Sequence, residues 1–233
     1  MPQPQQIALP VTLPDDETFT SYWPAGNEVV VDHLKNSLNQ QHAFSFTYLY
    51  GSHAVGKSHL LYASCVKAQE KGLSNMLLPM SQLINMSTDV LAGLQNLDLV
   101  CIEQFELIEG NKHWEQAMFN LFNSLNYPSK TLLIASAKPV DSLDIKLKDL
   151  TSRLKWGTTF QINPLSDEQK ALAIQHRASL RGLELSEESA AFLINRLDRN
   201  MTSLIETLDK LDRISMQKQR KLTIPFIKDE LSL

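Results

Sequence analysis

Two cysteines in 233 residues, Cys65 and Cys101, each inside an apolar segment, are too few for a disulfide framework and point to a reducing, cytoplasmic compartment. Long apolar runs are missing as well: no stretch approaches the roughly 18 residues that a membrane span needs. The N-terminus lacks the basic region followed by an apolar stretch that marks a secretory signal. A basic excess is also absent. With 22 Lys and Arg against 26 Asp and Glu, the net charge is −4, so any contact with DNA is expected to be local or indirect. What is present is ordinary globular composition, 43% hydrophobic and 21% charged, in a chain long enough to bury a sizeable core as one large domain or a domain with a small satellite.

The first fourteen residues, "MPQPQQIALPVTLP", carry four prolines and three glutamines and read as an extended tail. Helical spacing follows in "EVVVDHLKNSLNQQ". A strand candidate, "FSFTYLY", runs into a Gly-rich loop, and "KSHLLYASCVKAQEKG" continues as a helix closing at Gly72. The strand "NMLLPM", a helical stretch to about Gln95, the strand "LDLVCI", the helix "HWEQAMFNLFNSLN" and the strand "TLLIAS" come next. Alternation of this kind predicts right-handed crossovers and a mostly parallel sheet covered on both faces. Beyond Asn163 the period becomes helical throughout, opening with Ser166 and Gln169 at capping-box spacing. The expected organisation is a tail over residues 1–14, an α/β base over 15–163 and a small all-helical domain over 164–233.

"GSHAVGKS", Gly51 to Ser58, satisfies the G-x-x-x-x-G-K-[ST] pattern between a strand and a helix, the context that motif requires. Its glycines let backbone N–H groups turn toward phosphate oxygens, the opening helix adds its positive end, Lys57 reaches the outer phosphates and Ser58 can ligate Mg2+. The second half of such a site is an acid ending a buried strand, and "LVCIEQFE" supplies Glu103, able to hold Mg2+ with Ser58. The neighbour that elsewhere orients the attacking water is here Gln104, a neutral amide that cannot accept a proton. Binding is therefore expected and hydrolysis impaired. The expected nucleotide set is Gly51, Ser52, Val55, Gly56, Lys57, Ser58, His59, Glu103 and Ser136.

"TFTSYWPAGNE", the phosphate loop, "LDLVCIEQFE", "TLLIASAKP" and "LTSRLKWGTTFQINPLSDEQKALAIQHRA" together resemble the AAA+ domain of the DnaA family of bacterial replication initiators, from about Phe19 onward. The resemblance is closer to the Hda branch, the DnaA-related regulatory inactivators, including "LPDDETFTSYWP" and "RKLTIPFIK". It implies a three-layer αβα AAA+ base with a helical lid, and base recognition near the domain hinge, with Tyr22, Trp23 and Asn27 on the adenine side. "LTSRLKWG" matches the family's arginine-finger motif and so implies a finger at Arg153, acting in trans on a neighbour's nucleotide. From the bare sequence, an arginine pinned in a salt bridge beneath Trp156 is the alternative. The lid arginine that senses nucleotide in the family is replaced by Thr202 in "NMTSL", with Arg199 nearby. "QIALPV" resembles a motif that docks on the beta sliding clamp, with Gln6 in a polar niche, Leu9 and Val11 in an apolar cleft and Ile7 within the same motif. The resemblance stops at the lid, so neither the family's DNA-reading helix-turn-helix domain nor its N-terminal interaction domain is expected in this sequence.

The resemblance thus implies a regulator that binds ADP or ATP with Mg2+, engages DNA through the clamp and stimulates hydrolysis of ATP held by a DnaA-type initiator. Self-association as a dimer or larger AAA+ oligomer is in keeping with a finger that needs an interface. An autonomous P-loop ATPase, and a DNA-binding or clamp-loading module, are the other readings left open.

Overall fold

The computed structural model describes residues 17–39 and 43–233. The clamp-motif positions Gln6, Ile7, Leu9 and Val11 lie outside the described residues. Two compact units emerge. The first comprises 17–19, 29–52 (as far as described) and 57–162; the second comprises 20–28, 53–56 and 163–233.

In the first unit, α1 (Glu28–Ser37, all but its first residue) precedes β1 (Ser45–Tyr50). Then come α2 (Lys57–Glu70), β2 (Asn75–Pro79), the short α3 (Met80–Leu83), β3 (Leu99–Glu103), α4 (Lys112–Leu125), β4 (Thr131–Ser136), α5 (Lys148–Leu154) and β5 (Thr158–Gln161). The sheet order is β2-β3-β4-β1-β5, with every pairing parallel. This is the parallel α/β arrangement that the alternation of strands and helices predicts. The three central strands are almost wholly buried, as a parallel sheet covered on both faces requires. Tyr48, Ile102 and Ile134 face a core shared with Phe105, Trp114 and Phe122. On the opposite face Cys101 meets Cys65 of α2, sulfur to sulfur at 3.6 Å, both thiols free.

Two departures from the sequence reading have local causes. The helix expected to about Gln95 stops at Leu83; Ser87 caps a 3-10 turn at Thr88–Leu91 by accepting Asp89 N–H, and Gly93, at φ 90°, starts another. β5 was not anticipated. It is only four residues long and mostly exposed at the sheet edge, too short to show periodicity.

The second unit carries the helical lid: α6 (Asp167–Leu180), α7 (Glu187–Arg196), α8 (Met201–Lys218) and α9 (Ile224–Leu231). Its core joins Ile174, Ala178, Leu193, Leu208, Leu211 and Phe226. The capping box at α6 forms as its spacing predicts: Ser166 accepts Gln169 N–H and Gln169 accepts Ser166 N–H.

Candidate functional site

β1 ends at Tyr50 and the phosphate loop turns at once into α2. Lys57 Nζ donates to the carbonyls of Gly51 and Ser52, each at 2.7 Å, which curls the ammonium back over the loop. Burial pulls the Lys57 pKa below its ordinary value, while Glu106 and then Glu103 pull it back up. Ser58 donates its hydroxyl to the Glu103 carboxylate. A hydroxyl and a carboxylate brought together at the start of α2 fit Mg2+, a hard cation that takes few protein oxygens and completes its shell with phosphate and water. His59 is turned away, its ring nitrogen meeting Thr18 O at 2.8 Å.

Gly56 adopts φ 96°, and an added Cβ would sit 2.9 Å from Tyr22 Cε2. Glycine there serves both the left-handed turn and the close approach of the Tyr22 ring. Tyr22 is buried, which raises its phenol to about 12, with the Asn27 side chain acting in the opposite sense. Of the other adenine-side candidates, Asn27 spends its carboxamide on Asn163: it donates to the carbonyl at 3.1 Å and accepts the amide at 2.9 Å. Trp23 packs its ring on His176, centroids 5.5 Å apart, and lines a groove of about 920 Å³ with Leu172, Leu185 and Ile224. Val55 is half-buried and Ser52 exposed in the loop.

At the ends of β3 and β4 the sequence reading found Glu103, Gln104 and Ser136 but passed over Glu106. Gln104 has left-handed backbone, φ 58° and ψ 44°, and opens a 3-10 turn. That turn brings Glu106 round to accept Ala137 N–H at 2.9 Å just beyond Ser136. Ser136 is fully buried and accepts Lys138 N–H at 3.2 Å; Tyr48 donates to Lys138 O at 2.8 Å. Lys138 in turn pairs with Glu109 at 2.7 Å. The signal for Glu106 was the second acid in "EQFE", three residues after Glu103.

Arg153 lies in the last turn of α5, and Trp156 follows in the turn beyond the helix end, its N–H donating to the Arg153 carbonyl at 3.1 Å. The guanidinium carbon stands 3.9 Å from the Trp156 ring centroid. No ion pair joins Arg153 to a carboxylate among the described residues, so the salt bridge weighed from sequence gives way to an aromatic stack. In the lid, Thr202 is exposed in the first turn of α8. Arg199 precedes that helix and pairs with Asp167 at 2.8 Å.

The family model described as the bacterial DnaA ATPase domain matches residues 18–161. The chain belongs to the bacterial DnaA ATPase-domain family. A second model, described as the Hda lid domain, matches residues 167–231. Domain III of the DnaA replication initiation protein from Thermotoga maritima shares the fold at TM-score 0.78 and 20% identity, over 95% of this chain and 98% of that one. AMPPCP-bound DnaA from Aquifex aeolicus aligns at TM-score 0.67 and 20% identity, over 89% and 71%. RuvB T158V from Thermotoga maritima aligns at 0.65 and 14%, over 92% and 73%. Among the described residues no helix is long and apolar enough to cross a membrane.

Proposed function

We propose that this DnaA-family chain is an Hda-type regulator of replication initiation, which binds ADP or ATP in its own site and uses Arg153 to promote hydrolysis of ATP held by a DnaA-type initiator. The observation that carries this reading is the contrast between the two halves of the chemistry. Arg153 offers a guanidinium whose donors meet no carboxylate among the described residues, while Glu103 is followed by a neutral Gln104 and the lid sequence carries Thr202 at the position that the resemblance assigns to a sensing arginine.

In its own site, Lys57 and the loop amides hold the phosphates, and Ser58 with Glu103 holds Mg2+, which when bound screens phosphate charge. Adenine nucleotide is favoured by the structural kinship with a DnaA described as bound to AMPPCP. Bound nucleotide stabilises the chain without being rapidly turned over. Gln6, Ile7, Leu9 and Val11 dock on the beta sliding clamp and bring the chain to DNA indirectly, raising the effective concentration of a weakly bound partner. Finger chemistry requires an interface, so Arg153 acts across a contact with the initiator, and a dimer or larger AAA+ assembly of this chain uses the same geometry.

The test is ATP turnover by a DnaA-type initiator on clamp-loaded DNA, with wild type, with Arg153→Ala and with a variant lacking residues 1–12. Wild type accelerates hydrolysis, both variants fail, and the protein alone turns over little. Brisk turnover by the protein alone would replace this reading with that of an autonomous ATPase.

A further inference from the structure

The stack beneath Arg153 is anchored more deeply than a surface contact requires. Trp156 is 59% exposed, yet its ring packs against that of buried Phe122, centroids 6.3 Å apart in T-shaped geometry. Phe122 is gripped in turn by Phe44 and Phe46, edge to face, at 5.5 and 5.0 Å. The next residue, Gly157, passes so close to β1 that an added Cβ would stand 2.3 Å from Phe46 Cδ1 and 2.5 Å from its carbonyl oxygen. The backbone at Gly157 is thus held against β1 and the Trp156 ring against Phe122 of α4, while the indole carries the guanidinium over its ring.

Stacking suits a guanidinium that must act on phosphate. A carboxylate partner would occupy the N–H fork and cancel its charge; an aromatic face covers only the flat surface and leaves the five donors along the edge. The long side chain is also restrained before it meets its target, so less entropy is lost on engagement.

We propose that Trp156 is a positioning residue that preorganises the Arg153 guanidinium for the phosphates of a nucleotide held by a second chain. This rests on the reading of Arg153 as a trans-acting finger.

The experiment measures initiator ATP hydrolysis on clamp-loaded DNA as a function of the concentration of this protein, for wild type, Arg153→Ala, Trp156→Ala and Trp156→Phe. Far-UV circular dichroism and melting check that each variant folds. Arg153→Ala loses the stimulation. Trp156→Ala lowers the rate at saturation roughly two- to fivefold, the range of an exposed cation–π contact, with little change in the half-saturating concentration, and Trp156→Phe recovers most of the loss. A folded Trp156→Ala with wild-type saturating rate overturns the positioning role and leaves the finger standing. A change only in half-saturating concentration overturns it in favour of a contact surface, and failure of Phe to rescue rules out the stack as the cause. An Arg153→Ala protein that stimulates normally overturns finger and positioning role together.

Discussion

At Gln104 the chain carries a neutral amide, which cannot accept a proton, directly after the Glu103 carboxylate. The left-handed backbone of Gln104, φ 58°, is strained for a residue with a Cβ but is tolerated by Asp. Gln104→Asp therefore restores a proton acceptor beside Glu103 with little backbone penalty. Intrinsic phosphate release by the protein alone should rise roughly ten- to hundredfold, toward the lower end of what a placed general base contributes, because Thr202 still occupies the position that the family resemblance assigns to a sensing arginine. An unchanged rate would mean that position 104 does not face the water. Lys57 carries the opposite kind of compromise. Burial lowers its pKa, so the folded state is penalised while the ammonium is charged, fully so below the folded-state pKa, and the penalty fades as pH rises toward and past 10.5. Lys57→Met should lose nucleotide binding yet melt no lower than wild type at pH 7 in the absence of nucleotide. The difference between the two should shift in favour of wild type as pH is raised from neutrality toward 10, which melting curves across that range will check.

Among the elements, α5 owes its position to a residue on α4. The buried Glu115 carboxylate accepts Lys146 N–H at 2.9 Å and Leu147 N–H at 2.8 Å, the last two amides before α5, and Gly110 N–H at 3.0 Å. Glu115→Ala strands all three donors and should cost about 3 kcal/mol, since each lost bond to a charged group is worth about 1.5–3 kcal/mol before water or neighbours compensate. Glu115→Gln, which keeps one acceptor oxygen, should cost about half as much, and urea denaturation of the pair measures both. Nothing in the sequence marked Glu115 as a clamp for α5, because its two partners there lie 31 and 32 positions away. Elements with local signals were legible: the phosphate loop by its glycines, α6 by its capping box, β3 and β4 by apolar runs. What escaped notice depended on contacts distant in sequence or on unusual backbone, as with Glu106, which reaches the β4 end only through the left-handed turn at Gln104. The Arg153 stack was half legible, for the i to i+3 spacing was there, while the choice of ring over carboxylate depended on where Phe122 and Phe46 placed Trp156.

For the whole molecule, charge decides how it can reach DNA. The net charge is −4, and ten of its Lys and Arg side chains already face carboxylates in ion pairs among the described residues. Such exposed pairs add little stability, but they blunt the local positive potential that would otherwise release counterions from a duplex. Direct affinity for duplex DNA at physiological salt should therefore be no tighter than the roughly 10⁻⁴–10⁻⁶ M of ordinary non-specific binding. Retention on clamp-loaded DNA should be much stronger and should vanish when residues 1–12 are removed. Fluorescence anisotropy on a labelled duplex, with and without loaded clamp and over a salt series, separates the two contributions. Sub-micromolar binding to bare duplex with a steep salt dependence would reveal a basic surface that the overall charge conceals, and the chain would then meet DNA without the clamp.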